Sequence, residues 1–265
     1  MGMRKALVGS LLVVLGFCAS AVAVLAEDLT DIRSRGEVRV GVCLDSEPVG
    51  FRDLDGRPKG YDIDVVTQLA EQMQVRLELV EVSVPTRFEA LRSGRVDVLA
   101  CNVSATTDRA LEFDFSFPYL RTGIKMLVLR GSGIANVDDL DRTHKVAVGR
   151  GTTADALLRR RAPQARQIFV SSSGEAALLL RQGQVDAYVQ DSLIVDFIAR
   201  SLPDRVEGLP ETYTYDAICF GIRKGNPELL RWLDLFASLY VSSGAYQKTY
   251  ANWWGETPPE LTPVW

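Results

Sequence analysis

Apolar positions along this chain change period several times, and each change marks an element. Val38, Val40 and Val42 give residues 38–42 a short β-branched strand that ends before turn-forming residues. Asp53-Leu54-Asp55-Gly56 is a hairpin-type turn signal. Over residues 62–74 the spacing becomes helical, at Ile63, Val66, Leu69, Ala70 and Met73. Asp62 and Asp64 stand near its N-terminal end, where acids suit the helix dipole. Residues 76–82 alternate as a strand does, residues 86–92 form a short helix closed by Gly94, and residues 96–100 are a further apolar strand. The order β–α–β–α–β predicts a parallel sheet with helices on both faces.

A second series has the same rhythm. Residues 145–148 read as a strand, 153–161 as a helix stopped by Pro163, 167–170 as a strand, 174–181 as a helix ended by Gly183, and 185–189 as a third strand. Leu91-Arg92-Ser93-Gly94-Arg95-Val96-Asp97-Val98 is echoed by Leu180-Arg181-Gln182-Gly183-Gln184-Val185-Asp186-Ala187. Two similarly built α/β lobes are expected, not a short-period repeat. Residues 124–130 link them, and residues 213–222 are an extended stretch that could return the chain. Residues 229–240 and 245–253 are closing helices, with Trp253-Trp254 read as core packing or a cover for the sheet edge. No Pro- or Ser-rich linker intervenes, so short crossovers should hold the lobes together. Residues 258–265 form a proline-rich tail.

The N-terminus carries a different pattern. Arg4 and Lys5 precede an uncharged, Leu-, Val- and Ala-rich run over residues 6–25, and Ala26 is followed by Glu27-Asp28. This reads as a secretory signal over residues 1–26, cleaved after Ala26 or Ala23, with an uncleaved anchor as the competing reading. Cleavage removes two positive and no negative charges, so the formal charge of −4 becomes −6. At 265 residues, 24% charged and 47% hydrophobic, the chain is an ordinary globular one of one large or two ordinary domains. The mild acidity argues against nucleic acid as a partner. His144 is the single histidine, which excludes multi-histidine metal sites. Four cysteines are too few for a disulfide scaffold and none has zinc spacing, so neither metal nor cofactor is expected.

Candidate chemistry gathers at strand ends. Gly149-Arg150-Gly151-Thr152-Thr153-Ala154 follows a strand and opens a helix, in a loose match to the dinucleotide-binding pattern. The acid needed after the next strand is missing, since Ser171-Ser172-Ser173 stands there. What survives is an anion site from the N–H groups of residues 151–153, suited to a carboxylate, alongside an ordinary threonine N-cap. Asn102-Val103-Ser104-Ala105-Thr106-Thr107-Asp108-Arg109 places hydroxyls and an arginine just past a parallel strand, where α/β sheets bind ligands. Arg109 there could grip a carboxylate bidentately or pair on the surface. Asp191 follows the equivalent strand of the second lobe, as helix cap or ligand group. Across a cleft, Arg109 and Asp191 offer opposite charges to a zwitterion. No G-x-S-x-G is present, and His144 lies in a loop, so hydrolase readings fare poorly.

These residues together resemble the polar amino-acid-binding group of periplasmic solute-binding proteins of ABC importers, the bacterial extracellular solute-binding proteins of family 3. The resemblance spans nearly the whole chain after the leader. It rests on Gly60-Tyr61-Asp62-Ile63-Asp64, Ser104 to Arg109, Phe113-Asp114-Phe115-Ser116-Phe117-Pro118-Tyr119, Gly151-Thr152-Thr153, Val185-Asp186-Ala187 with Asp191, and Tyr250-Ala251-Asn252-Trp253-Trp254-Gly255. It implies an α/β, two-lobed periplasmic-binding-protein fold, each lobe a mainly parallel sheet flanked by helices, joined by two hinge strands. Lobe 1 would comprise residues 27–118 plus 219–265 and lobe 2 residues 124–213, with hinges near 119–123 and 214–218. Arg109 would bind a ligand α-carboxylate with Thr152 and Thr153. Ser104 and the Asn102 carbonyl would meet the α-ammonium, with Asp191 as counter-charge. An amino-acid ligand, a membrane ABC permease, a periplasmic location and a monomeric state follow from the same resemblance.

Departures from the family pattern shape the expected ligand. Asn102 stands where glycine is usual, and residues 45–49 and Val84 lack the usual aromatic clamps, so a large apolar ligand is disfavoured. Arg87 matches an arginine that dicarboxylate-binding members use, whereas Glu47, if it faces the cleft, would repel an acid. An acidic amino acid therefore leads only modestly over another polar one. The rival classes are a dehydratase on the same fold, with Glu47 as general acid, and an accessory or sensory binding protein. In the strand order 2-1-3 expected for the first sheet, Cys43 and Cys101 end neighbouring strands about 5 Å apart. A disulfide is then within reach, but its torsion needs the strands to diverge, and two free thiols lining the cleft are the leading reading. Cys219 is left as a packing residue.

Overall fold

The computed structural model describes residues 29–261; the leader expected over residues 1–26 and the end of the proline-rich tail lie outside them. The chain begins with helix α1 (Leu29–Arg35) and strand β1 (Glu37–Val42). The small hairpin β2 (Phe51–Arg52) and β3 (Pro58–Lys59) then leads to helix α2 (Tyr61–Met73), strand β4 (Arg76–Glu81), helix α3 (Arg87–Arg92) and strand β5 (Val98–Leu99). A short helix α4 (Thr107–Ala110) precedes the long strand β6 (Phe113–Thr122). A second sheet opens with β7 (Ile124–Leu129). It continues through β8 (Lys145–Val148), helix α5 (Thr153–Arg161), β9 (Arg166–Phe169), helix α6 (Ser173–Arg181), β10 (Ala187–Asp191), helix α7 (Ser192–Ser201) and β11 (Val206–Gly208). The chain returns as β12 (Asp216–Arg223) and closes with helices α8 (Pro227–Ser242) and α9 (Ala245–Trp254).

The two sheets have the orders β4-β1-β5-β12-β6 and β11-β7-β10-β8-β9. In the first, β4, β1 and β5 are parallel, in the expected 2-1-3 order, while β12 runs antiparallel to both β5 and β6. In the second, β9, β8 and β10 are parallel, and β7 runs antiparallel to β10 and β11. The sheets are therefore mixed rather than mainly parallel. The parallel triplets come from the β–α–β rhythm. The antiparallel strands come from the linking stretches, which must leave one sheet and enter the other in reverse. Helix α7 was not foreseen; it buries Leu193, Ile194, Val195 and Ile198 against the second sheet.

Among the described residues the chain passes between the sheets twice. The first passage is a single residue, Gly123, between β6 and β7; the second is the stretch between β11 and β12. The passages touch. Ile124 N–H donates to Thr214 Oγ1 (2.9 Å), and Tyr213 N–H donates to the Ile124 carbonyl (2.8 Å). A Cβ on Gly123 would overlap the Thr214 carbonyl, so only glycine fits there. Residues 120–122 and 216–218, expected to act as hinges, are strand segments paired with each other.

Aromatic rings fill the space between the first sheet and helices α2, α8 and α9. Tyr119 stacks on Phe220 with ring centroids 4.4 Å apart, and Tyr250 packs on Trp254 at 4.6 Å. Trp254 is buried, and its Nε1 donates to the Leu193 carbonyl (3.2 Å), tying α9 to α7 of the other lobe. A separate core around Met126, Val146, Val148, Leu157 and Val189 supports the second sheet. No helix among the described residues is long and apolar enough to cross a membrane.

Cys43 and Cys101 form a disulfide, with their Cα atoms 4.8 Å apart, which corrects the reading of two free thiols. Val40 pairs with Val98 and Gly41 with Leu99, so the same register carried two residues on brings Cys43 opposite Cys101. Both lie beyond the last regular pairing, where the strands are free to take up the torsion. Cys219 is free and buried on β12. The bridge closes a loop with a sequence separation of 58. On the chain-entropy account, replacing both cysteines by serine should lower the unfolding free energy by about 4 kcal/mol. Urea unfolding of the two proteins measures it, and a loss under about 1 kcal/mol would mean that the bridge contributes far less than its loop length implies.

Candidate functional site

The C-terminal ends of the parallel strands in the two sheets face one another, and a cavity of about 40 Å³ lies between them. From the first lobe it is walled by the residues after β1 (Cys43, Asp45, Ser46), the residues after β5 (Cys101, Asn102, Ser104), Asp62 of α2, and Arg87 and Arg109. From the second lobe come Thr152 and Thr153 at the start of α5, with Gln190 and Asp191 at the end of β10. Strand ends of this kind are where α/β sheets leave backbone groups and loop side chains free to meet a ligand. Of the eight residues singled out from sequence, seven meet here: Arg87, Asn102, Ser104, Arg109, Thr152, Thr153 and Asp191. Glu47 does not line this cavity. It sits at the tip of a tight turn in which the Ser46 carbonyl accepts from the N–H groups of Val49 and Gly50, and its side chain is exposed.

Two arginines supply positive charge. Thr106 caps α4 by accepting from the Arg109 N–H (3.3 Å), which sets the side chain's direction. The Arg109 guanidinium donates to the Ser104 carbonyl (2.7 Å) and, across the cleft, to the Gly151 carbonyl (3.1 Å). It lies over the Phe88 ring, with Arg87 also within cation–π distance of that ring. Arg87 is 4% exposed and donates to the Cys101 carbonyl (2.8 Å), while its Nε is buried without a hydrogen-bond partner. Burial, then the like charge of Arg109, pulls the Arg87 guanidinium down to about 9, against the opposing pull of Asp191 and Asp45. Arg109 is lowered too, chiefly by burial.

Carboxylates balance them. Asp191 is buried where β10 turns into α7, and its Oδ2 accepts from Asn102 Nδ2 across the cleft (2.7 Å). Its Oδ1 is buried without a partner. Burial, then the nearby Asp216, pushes Asp191 up to about 7. Asp62 accepts from the Asn102 N–H (2.8 Å) and the Tyr119 hydroxyl (2.9 Å), and burial raises it to about 6. Asn102 has a φ of +47°, a left-handed conformation that asparagine tolerates better than most residues. This is the place where the family pattern has glycine. Here the added side chain is the one that reaches Asp191.

The threonines are partly committed already. Thr152 Oγ1 caps α5 by accepting from the Asp155 N–H (3.1 Å) and donates to the Gly149 carbonyl (2.8 Å). The Gly151 N–H is bound by Asp155 Oδ2 (2.9 Å), so the anion site expected over residues 151–153 lacks that group. Thr153 Oγ1 donates to Asp216 Oδ2 (2.9 Å), and burial raises Asp216 as well. Among the polar wall residues, Asp45, Ser46, Asp62 and Gln190 were not singled out from the sequence as ligand groups. An acid early in a helix is ordinary dipole chemistry, and nothing in the pattern told that Asp62 would be buried.

A chain of hydrogen bonds runs along one side of the cavity. Ser46 Oγ meets Ser173 Oγ (2.7 Å), Ser173 Oγ meets the Tyr188 hydroxyl (3.1 Å), and Gln190 Nε2 donates to that hydroxyl (3.0 Å). Gln190 Oε1 in turn accepts from the Asp191 N–H (3.0 Å). With the Asn102–Asp191 and Arg109–Gly151 bonds, this joins the lobes at three places around the cavity. The arrangement offers converging cations and carboxylates in a buried, polar chamber. Among the described residues, no group of three or more His, Cys, Asp or Glu is placed to hold a metal ion.

Comparison with known proteins agrees with this geometry. The ABC transporter glutamine-binding protein GlnH of Bacillus subtilis (strain 168) is 28% identical over 239 residues, 88% of this chain and 87% of that one. The L-cystine-binding protein TcyJ of Escherichia coli (strain K12) is 28% identical over 255 residues, 95% and 96% of the two chains. Among solved structures, the ancestral amino-acid-binding protein AncCDT-1, a precursor of cyclohexadienyl dehydratase, superposes with a TM-score of 0.81 at 32% identity, over 85% of this chain and 99% of that one. Residues 38–256 match the bacterial extracellular solute-binding proteins, family 3. With two mixed-sheet lobes, two crossings and a charged cavity between strand ends, the chain belongs to that family.

Proposed function

We propose that the protein is an extracytoplasmic receptor that takes a polar amino acid between its lobes and delivers it to a membrane ABC permease. The observation that carries this reading is the meeting of Arg109 and Asp191, from opposite lobes, in one buried chamber. An α-carboxylate would replace the Gly151 carbonyl as the partner of Arg109. An α-ammonium would replace Asn102 as the partner of Asp191. Each exchange keeps a buried ion paired, which an apolar ligand would not. Relatives named for glutamine, cystine and arginine support an amino acid as ligand. Arg87, with one nitrogen unpartnered, favours an acidic or other polar side chain.

Lobe 1, residues 27–118 plus 219–265, would close on lobe 2, residues 124–213, by small rotations at the paired crossings 119–123 and 214–218. Residues 1–26 would direct export and be cleaved off with it, and the receptor would act as a monomer with no cofactor. The dehydratase alternative gave the general acid's role to Glu47, which is exposed on its turn.

Arg109→Ala should weaken binding of the captured amino acid by about 30- to 3,000-fold, the 2–5 kcal/mol of stranding a buried ionic partner. Calorimetry measures it; a loss under about threefold in a folded variant would remove Arg109 from the carboxylate's role. The pH dependence follows from Asp191. Its carboxyl, raised to about 7, is partly protonated at neutral pH. An ammonium beside it favours the carboxylate, so binding releases up to roughly half a proton at pH 7, and affinity rises as pH climbs from about 5 to 8. Calorimetry in buffers of different ionisation enthalpy reads this directly. Proton uptake, or no buffer dependence, would contradict it.

A further inference from the structure

Beside the inner chamber lies a second cavity of about 280 Å³, several times larger. The two share a wall made by Asp45, Ser46, Val84, Thr152 and Gln190, so they are successive compartments of one cleft. We propose that the outer compartment is a second subsite, taking the far end of a ligand longer than one amino acid: an amino-acid head extended through an N–H-bearing link to a terminal carboxylate, as in γ-glutamyl dipeptides. The proposal rests on the amino-acid reading of the inner chamber.

The order of charges from inside to outside carries the inference. The inner chamber holds Arg109 and Asp191, the complement of a zwitterionic head. Next comes Asp45 on the shared wall, an acceptor that suits an N–H and repels a carboxylate. Arg150 lines only the outer compartment, and its guanidinium carbon lies 3.7 Å from the centroid of the Phe169 ring. A guanidinium resting against a ring keeps its N–H donors available, and its fork of donors suits a carboxylate. Ser171 and Ser172 line the same compartment and add hydroxyl donors. A single acidic amino acid can pair its side-chain carboxylate with Arg87 inside the inner chamber, and it leaves the outer compartment and Arg150 unused. A ligand longer by a peptide unit places an amide N–H at Asp45 and its carboxylate at Arg150. Val84, Pro85, Phe169 and Val170 give the stem of such an extension apolar surface to lie on, while Arg150, Ser171 and Ser172 supply partners for a charged end.

The cleanest probe pair is L-glutamine and γ-L-glutamylglycine, which share a head and an amide and differ by the added glycine carboxylate. Calorimetry on the protein after leader removal should find γ-L-glutamylglycine bound about tenfold or more tightly than L-glutamine, as one charge-assisted contact allows. Arg150→Ala, on an exposed side chain outside the inner chamber, should remove that advantage and leave L-glutamine binding within about twofold. The proposal is overturned if L-glutamine binds and γ-L-glutamylglycine binds no better, or if Arg150→Ala weakens both alike. Should neither bind while another amino acid does, the second subsite falls and the receptor reading stands. Should no amino acid bind at all, both fall.

Discussion

The structure depends on one constraint: the chain passes between its sheets twice, and the two passages are fastened to each other. β6 and β12 pair antiparallel up to Thr122 and Asp216, and Gly123 presses against the carbonyl of Thr214. Two adjacent connections leave few relative placements for the lobes. The placement adopted turns the C-terminal ends of both parallel triplets inward. Most wall residues of the chamber follow from that, because they stand at or just after the end of a strand or near the start of a helix.

The chamber brings together groups that would be costly to bury singly. Arg87, Arg109, Asp45, Asp62 and Asp191 all face it. Ionised groups out of water are tolerated when their partners are already in place. Asn102 is the centre of that arrangement on the first lobe. Its N–H holds Asp62, its amide holds Asp191, and the disulfide at Cys101 fixes the strand end from which it projects. Arg109 does the corresponding work at the other side through Ser104 and Gly151. On the proposed reading, a zwitterion entering here would exchange neutral partners for charged ones. Such an exchange would be stronger in a buried site than at the surface, and would engage both lobes with one molecule.

Much of this was legible in the sequence because periodic burial writes itself into residue type. Helices α5 and α2 and strands β8 and β4 lie within a residue or so of where the apolar spacing puts them. The recurring Gly-x-Val-Asp turn correctly announced a second lobe. The antiparallel strands were less visible, since β6 and β12 are long, buried on both sides and carry no simple alternation. Charge at the site was legible at Arg109 and Asp191, which follow strands of the right kind. Asp45 and Asp62 were hidden, because burial of an acid depends on what folds over it and not on its neighbours in sequence. Glu47 shows the converse. Its segment reaches the cleft, but a tight turn presents Ser46 inward and leaves Glu47 in solvent.

The central claim is that the chamber recognises both ends of a zwitterion at once, one with each lobe. Thermal melting of the protein after leader removal tests this most directly. It would be run against the proteinogenic L-amino acids, and then against the α-amide and the deaminated analogue of whichever stabilises it most. The account predicts a rise in melting temperature with that amino acid, and loss of most of the rise with either analogue, since each removes one of the two charges. A deaminated acid that stabilises the protein as well as its parent amino acid would contradict it.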